Sequence, residues 1–96
     1  LTDVKSQLSR AQRIEKVLRE RFAPLDFELV DDSARHAGHA GAAPEGQSHY
    51  RLRMRSEAFV GLTRVARQRL VYVALQAEFD SGLHALSLDL KTPDQS

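Results

Sequence analysis

The stretch Tyr50-Arg51-Leu52-Arg53-Met54-Arg55 alternates strictly between apolar and cationic side chains. A period of two residues is typical of a β-strand that buries one face and exposes the other. The stretch therefore predicts a strand whose apolar side chains face a core and whose arginines face solvent. The rest of the fold is worked out around this strand.

A second alternating stretch precedes it. In residues 25–29, Leu-Asp-Phe-Glu-Leu, the two acids Asp26 and Glu28 separate three apolar side chains. If the two strands pair antiparallel, the arginines of residues 50–55 could lie opposite these acids, since cross-strand neighbours of opposite charge stabilise a sheet.

Residues 3–22 predict an amphipathic helix, because apolar side chains recur at steps of three and four. Pro24 ends it, since the residue before a proline avoids helical geometry. The predicted buried face consists of Val4, Leu8, Ala11, Ile14, Val17, Leu18 and Phe22.

A long loop joins the two strands, from Asp31 to Gly46. It carries His36 and His39, with Gly38 and Gly41 beside them to free the backbone for sharp turns. Long ordered loops in small domains are often functional. We therefore ask whether some of the four histidines of the chain, which also include His49 and His84, converge on a ligand.

The C-terminal half predicts a turn or helical turn at 56–61, then a helix that Thr63 caps and that runs to about residue 79. The sequence Asp80-Ser81-Gly82 ends this helix. Its predicted core-facing stripe consists of Val65, Ala66, Leu70, Val71, Ala74, Leu75 and Phe79.

The last strand is predicted from residue 83 to about residue 91, followed by Thr92-Pro93 and a frayed tail. It follows a crossover helix and can lie parallel to the strand at residues 50–55. The expectation is one α+β domain over residues 1–96, with a core from about 3 to 92. Its order is α-β-β-α-α-β, and a three-stranded mixed sheet carries helices on one face. One face of the last strand is predicted to hold His84, Leu86, Leu88 and Leu90, and the other face Ala85, Ser87, Asp89 and Lys91.

Composition narrows the possible functions. Net charge is only +1, which argues against indiscriminate nucleic-acid binding, and the chain has no cysteine, so it cannot form a disulfide or a thiolate metal site by itself. No stretch approaches the ~18 apolar residues of a membrane span. Because the chain shows no secretion signal, the cytoplasm is the expected compartment. An organellar mature form stays open as the alternative, since the N-terminus could be trimmed.

Several short motifs follow one another along nearly the whole chain. They are Asp32-Ser33 with His36 and His39, Ser48-His49-Tyr50, Ser56-Glu57-Ala58-Phe59-Val60-Gly61, Arg67-Gln68-Arg69-Leu70-Val71-Tyr72, His84-Ala85-Leu86 and Thr92-Pro93. Their order and spacing resemble the BolA-like protein family. The middle position of Arg67-Gln68-Arg69 departs from the family, many of whose members have histidine there, which puts any role of that histidine in doubt.

The resemblance implies a fold like class II KH domains and a monothiol glutaredoxin as partner. In that picture the two proteins share a two-iron two-sulfur cluster, which the glutaredoxin cysteine and glutathione bind on one side. Carried over by motif, the ligands on this chain are His84 and His36, with His39 the rival in the loop. The implied protein is a monomer alone and a heterodimer with its partner. Imidazole is a good iron ligand, so a chain with histidine and no cysteine suits this half of a shared site.

Other readings stay open. His49 is expected to be a structural hydrogen-bonder rather than a ligand, and a mononuclear zinc or copper site is conceivable only as an adventitious event. The arginines of residues 50–55 form either a solvated face or a contact surface for phosphates or an acidic partner. Some BolA-like proteins bind DNA as transcriptional regulators, for which Arg64, Arg67 and Arg69 are the candidates here, although the Gly-x-x-Gly loop of KH domains is absent. No catalytic motif occurs, so an enzyme is not expected.

Overall fold

The computed structural model describes residues 8–32 and 48–95. Over these residues the predicted order of elements is confirmed, and so is the α+β class with its three-stranded mixed sheet. The elements are α1 (Arg10–Phe22), β1 (Asp26–Asp31), β2 (His49–Arg55), a 3₁₀ turn (Glu57–Phe59), α2 (Arg64–Ala74), α3 (Gln76–Asp80) and β3 (Ala85–Lys91).

Helix α1 begins later than the periodicity predicted. Residues 3–7 lie outside the described part of the chain, but residues 8 and 9 are not helical. Ser9 is the N-cap: its hydroxyl accepts from the amide of Gln12, whose side chain accepts from the amide of Ser9. This reciprocal capping box fixes the start, because it satisfies amides that have no partner within the helix. The helix ends at Phe22, where Ala23 adopts a left-handed conformation just before Pro24.

Strands β1 and β2 pair antiparallel, and arginines of β2 lie opposite the acids of β1, as expected for such a pairing. Asp26 lies opposite Arg55 and Glu28 opposite Arg53, and both pairs form ion pairs, at 3.4 and 3.5 Å. These pairs are exposed and contribute little to stability one by one. They do fix which face of the sheet is charged.

Strand β3 pairs parallel with β2, as predicted, so the sheet order is β1-β2-β3. The strand begins at Ala85 rather than at residue 83. His84 therefore precedes it and is exposed, whereas Leu86 is buried. The prediction that His84 lies within this strand, on the same face as Leu86, is therefore wrong.

The helix predicted to run from 63 to 79 is two helices. Thr63 caps α2 as expected, since its hydroxyl accepts from the amide of Ala66. The chain leaves helical geometry at Leu75 and resumes as α3. The predicted core-facing stripe is also partly wrong: Val71 and Leu75 are buried, but Val65 and Leu70 are 59% and 42% exposed.

The core lies between the apolar face of the sheet and the helices. Side chains of α1, β2, α2 and β3 meet there, and Phe59 of the 3₁₀ turn is fully buried among them. The core consists of Ile14, Leu18, Phe22, Tyr50, Leu52, Met54, Phe59, Val71, Leu75, Leu83 and Leu86.

The C-terminal tail, expected to fray, is anchored at least through Gln95. The side-chain oxygen of Gln95 accepts from the amide of Thr92 and from the guanidinium of Arg67. The Thr92 hydroxyl, which is buried, donates to Asp94 and lowers the pKa of that carboxyl. These bonds hold the tail as a turn beside α2.

Helix α2 also covers the outer edge of β3. The hydroxyl of Tyr72 donates to the carbonyl of Leu86, and Arg67 donates to the carbonyl of Leu90. Successive carbonyls of a strand point to opposite sides, and Lys91 directs its carbonyl toward β2, where it accepts from Ser56. The carbonyls of Leu86 and Leu90 therefore point away from β2, and side chains of α2 occupy them.

Candidate functional site

Two histidines meet at one end of the sheet. His49 opens β2, and His84 lies one residue before β3, the parallel neighbour of β2. Their rings stack, with centroids 5.9 Å apart and planes 19° apart. We refer to His49 and His84 as the histidine pair.

Main-chain hydrogen bonds hold the pair in place. The carbonyl of Ser48 accepts from the amides of both His84 (2.8 Å) and Ala85 (3.1 Å). On the other side, the amide of Asp32 donates to the carbonyl of His49 at 2.7 Å. The two ends of segment 33–47, Asp32 and Ser48, are thus both fixed beside the histidine pair.

The two imidazoles differ in their environment. The Nδ1 atom of His49 lies 2.8 Å from the hydroxyl of Ser48, a side chain that is almost completely buried. The expectation that His49 is a hydrogen-bonder is therefore confirmed. His84 is exposed, and among residues 8–32 and 48–95 no hydrogen bond to its ring is found. A neutral imidazole that is exposed and not hydrogen-bonded can offer a nitrogen lone pair to a ligand.

A buried cluster of ion pairs and hydrogen bonds stabilises the turn that leads to His84. Glu78 accepts from Arg10 at 2.8 Å and from Arg13 at 2.9 Å, and Arg10 also donates to the hydroxyl and the carbonyl of Ser81. The hydrogen bond to Glu78 raises the pKa of Arg13. Gly82 follows at φ +125°, and a Cβ built there would lie 3.2 Å from the Arg10 guanidinium. Helix α1 thereby fixes the path of the chain into His84.

The predicted loop ligands, His36 and His39, lie outside the described residues. Within the described part of the chain, no three His, Asp or Glu side chains are grouped so that they could hold a metal ion. The histidine pair by itself can therefore supply only part of the ligands that a metal ion needs. A metal held there needs further ligands from segment 33–47 or from another molecule.

The three arginines proposed for nucleic acid occupy different surroundings. Arg64 is exposed and borders a cleft that Arg67 and Lys91 also line. Arg67 is half-buried and donates to the carbonyls of Leu62 and Leu90 and to Gln95. Arg69 is exposed and lines a second, apolar cleft. Arg67 therefore has a structural role whatever else it does, and Arg69 does not share the cleft of the other two.

The arginines of β2 are paired with acids of the β1 side. Besides the pairs formed by Arg53 and Arg55, Arg51 lies 3.4 Å from Asp32. This arrangement agrees with the interpretation that the arginines of β2 form a solvated face on which each positive charge is paired with an acid.

Sequence reasoning did not foresee that His49 stacks on His84. The signal was present in the topology, since Ser48-His49 and His84-Ala85 both open strands that were expected to be parallel neighbours. The first residues of two parallel neighbours in register lie at the same end of the sheet. That rule places the two histidines together.

The fold and the site define a small α+β domain that presents a histidine pair at one end of a three-stranded mixed sheet. The chain belongs to the BolA-like protein family, whose model matches residues 18–95.

Among similar proteins is the SufE-like protein 1, chloroplastic/mitochondrial, of Arabidopsis thaliana. It is 46% identical over 88% of this chain and 24% of its own length. The solved BolA domain of SufE1 from the same plant superposes with a TM-score of 0.81, at 45% identity, over 90% of this chain and 94% of that domain.

Two further relatives are similar. Protein BOLA1, chloroplastic, of Arabidopsis thaliana is 40% identical over 92% of this chain and 56% of its own length. The DNA-binding transcriptional regulator BolA of Escherichia coli is 37% identical over 81% of this chain and 73% of its own length. The chain thus spans about a quarter of the length of SufE-like protein 1 and about half of the length of Protein BOLA1.

No helix in the described ranges, 8–32 and 48–95, has the length and apolar character needed to cross a lipid bilayer.

Proposed function

We propose that this chain is a non-catalytic adaptor in iron–sulfur cluster trafficking or iron sensing, which shares a two-iron two-sulfur cluster with a monothiol glutaredoxin. His84 is one ligand, and His36 or His39 is the other. The observation that carries the proposal is the exposed imidazole of His84 on a main chain that hydrogen bonds hold in place. Family membership supports it, because the motif His84-Ala85-Leu86 stands where the family resemblance implies a ligand.

Chain connectivity supports a loop histidine as the second ligand. An extended chain spans about 3.5 Å per residue, so His36, four positions beyond Asp32, stays within about 14 Å of that residue. Asp32 is hydrogen-bonded to the main chain of His49, whose ring stacks on His84. His39 is three positions further along and is the alternative.

The chemistry of the donor set fits a shared site. This chain can offer imidazoles to iron but no thiolate, since it has four histidines and no cysteine. The remaining ligands are then the cysteine of the glutaredoxin and the thiol of glutathione, both on the partner side. Histidine in place of cysteine on one iron raises the reduction potential of such a cluster. The proposed complex is a heterodimer, and cluster binding is coupled to association.

The test is an anaerobic titration of this protein into a cluster-loaded monothiol glutaredoxin with glutathione, followed by visible absorption and circular dichroism. A new spectrum that saturates at one to one is expected, and His84→Ala should lose it. The matched control is His49→Phe, which keeps a ring to stack on His84 but removes both ring nitrogens. It should retain the spectrum. A spectrum kept in His84→Ala and lost in His49→Phe would assign the ligand to His49, and no new spectrum with the wild type would refute the proposal.

DNA binding is the second candidate. It is favoured by the similarity to a relative named as a DNA-binding transcriptional regulator and by the exposed Arg64 beside Lys91. The test measures affinity for duplex DNA across a salt series, in which each lost phosphate contact lowers the log–log slope by about 0.9. Arg64→Ala and Arg69→Ala are the informative variants. Arg67 is not, because its hydrogen bonds hold the fold.

The cytoplasm remains the expected compartment. The competing proposal is an organelle, because two relatives are named as chloroplastic or chloroplastic/mitochondrial. A fluorescent fusion to the complete reading frame distinguishes the two.

A further inference from the structure

The outer face of α2 is apolar. Residues 62, 66, 69, 70 and 73 recur at steps of three and four, which places them on one side of a helix. Together they line a shallow cleft. Val65 and Val73 are 59% and 64% exposed. We call this surface the α2 outer face, and its residues are Leu62, Val65, Ala66, Arg69, Leu70 and Val73.

A helix on the surface of a small domain usually turns polar side chains outward. Single exposed apolar residues are common and need no explanation, but a contiguous patch marks an interaction site. The sequence contains the same signal, since Val65, Ala66 and Leu70 were expected in the core and Val65 and Leu70 are exposed instead. Packing among residues 8–32 and 48–95 therefore does not explain why Val65 and Leu70 are apolar.

This surface also contains a cation, Arg69. Among the described residues, no carboxylate is within ion-pair distance of Arg69. The three arginines of β2 each have one, at 3.4–3.5 Å. Arg69 therefore offers a charge that a binding partner can neutralise, and its guanidinium suits a carboxylate.

The position of Arg69 argues against a second copy of this chain as the occupant. If two outer faces met antiparallel about the midpoint of residues 62–73, Arg69 would lie one and a half positions from that midpoint. With a rise of about 1.5 Å per residue, the two Arg69 residues would be offset by only about 4.5 Å along the helix axis. Like charges so close in an interface from which water is excluded oppose association.

We propose that the α2 outer face binds an amphipathic helix of another protein, one that places a carboxylate among apolar residues spaced i, i+3 or i+4, and i+7. The apolar side chains of that helix cover Leu62, Ala66, Leu70 and Val73, and its carboxylate pairs with Arg69. No member of the histidine pair takes part. The surface therefore works whether or not a cluster is shared.

The test uses a crosslinked helical peptide of about 15 residues, since shorter helices without a crosslink are marginal in water. The peptide carries leucines at the stated spacing and one central glutamate, and a second peptide has lysine in place of that glutamate. Both are titrated into the isotopically labelled full chain and followed by nuclear magnetic resonance. The glutamate peptide should shift the amides of residues 62–73, and Leu70→Gln or Val73→Asn should weaken it about tenfold or more, as expected for central interface residues.

Charge specificity gives the second arm. Arg69→Glu should weaken the glutamate peptide about tenfold and strengthen the lysine peptide by a similar factor. The matched control is Leu25→Gln. Leu25 is apolar and 62% exposed, close to the 64% of Val73, but it lies outside the α2 outer face. It should bind like the wild type. All four variants change exposed side chains, so their thermal unfolding should match the wild type and loss of fold is separable from loss of binding.

Three outcomes would overturn the proposal. The peptide shifts could fall outside residues 62–73 or be absent. The chain alone could sediment as a dimer that Leu70→Gln dissociates, which would make a second copy the occupant. Vesicles of anionic lipid could compete with the peptide and shift the same amides without it, which would make the surface a membrane contact. Leu70→Gln should leave the spectrum of the cluster shared with glutaredoxin unchanged. That spectrum tests the adaptor proposal separately from the binding of the peptide.

Discussion

Arg10 donates hydrogen bonds to both the carboxylate and the main-chain carbonyl of Glu78, a residue 68 positions further along the chain. Both side chains are about nine-tenths buried. This contact joins the first turn of α1 to α3, immediately before the turn that carries His84. The architecture of the candidate site thus depends on an ion pair far from it in sequence.

Glu78→Ala should destabilise the domain by about 3 kcal/mol, because it leaves the buried guanidinium of Arg10 without its counter-charge. The measurement is the free energy of unfolding in urea. Glu20→Ala is the control: Glu20 also pairs with a cation on α1, Lys16, but both are exposed, and the loss should stay below about 0.5 kcal/mol. Equal losses of unfolding free energy in the two variants would show that burial of the Glu78 cluster adds nothing to its stabilising effect.

Gly82→Ala should destabilise more than Gly61→Ala. Both glycines have positive φ, +125° and +79°, which costs an alanine about 1–2 kcal/mol. At Gly82 the new methyl group would also press on the Arg10 guanidinium at 3.2 Å, whereas at Gly61 nothing lies within 4 Å. Thermal unfolding of the two variants tests this ranking. The reverse order would contradict the account given for the turn before His84.

Arg67→Ala should lower the free energy of unfolding by about 1–2 kcal/mol, because it removes hydrogen bonds to two main-chain carbonyls and to Gln95. Arg64→Ala, on the same helix but exposed, should change it by less than about 0.5 kcal/mol. A loss of DNA binding in an Arg67 variant is therefore uninformative until its fold has been checked. If Arg67→Ala unfolds like the wild type, its hydrogen bonds are not stabilising.

Alkaline pH should destabilise the protein through Tyr50. Burial raises the pKa of its phenol above the ordinary 10.0, and the nearby Asp31 raises it further. A group whose pKa is raised on folding stabilises the fold fully below its unfolded pKa, and that contribution is lost as pH rises through the folded pKa. The contribution of Tyr50 is measured by urea unfolding of the wild type and of Tyr50→Phe, each below and above pH 10.0. The wild type should lose more stability than the variant on going to high pH, and parallel losses would refute the assignment.

One loop histidine should matter more than the other. His36→Ala and His39→Ala are each titrated against the cluster-loaded glutaredoxin, and only the variant that lacks the ligand should fail to give the shared spectrum. We expect His36→Ala to be that variant, because His36 is nearer in the chain to the anchored Asp32. If each single variant retains the spectrum and the double variant loses it, the two imidazoles substitute for one another.

Much of the fold follows from local patterns in the sequence. The alternation of residues 50–55 and 25–29 predicts strands with one charged face, and an antiparallel pairing then brings the arginines opposite Asp26 and Glu28. The structure supplies the register, in which Asp26 lies opposite Arg55. The parallel placement of β3 follows from its crossover helix. These predictions succeed because a period of two and a period of 3.6 leave distinct marks on a sequence.

The failures have different physical causes. Helix α2 is apolar on more than one side, so periodicity alone could not say which apolar residues face the core, and Val65 and Leu70 were placed there wrongly. The break at Leu75 contains neither proline nor glycine, so no local signal predicts it. The stacking of His49 on His84 depends on which strands are neighbours, and only the assembled sheet brings the two rings together.

The cover over the outer edge of β3 has a consequence for how this domain behaves at high concentration. An exposed strand edge templates the addition of strands from other molecules, which is a route to aggregation. With the carbonyls of Leu86 and Leu90 already accepting from Tyr72 and Arg67, that edge is a poor template. Intermolecular strand addition is therefore directed to the β1 side, and a screen for mutations that limit aggregation should begin there.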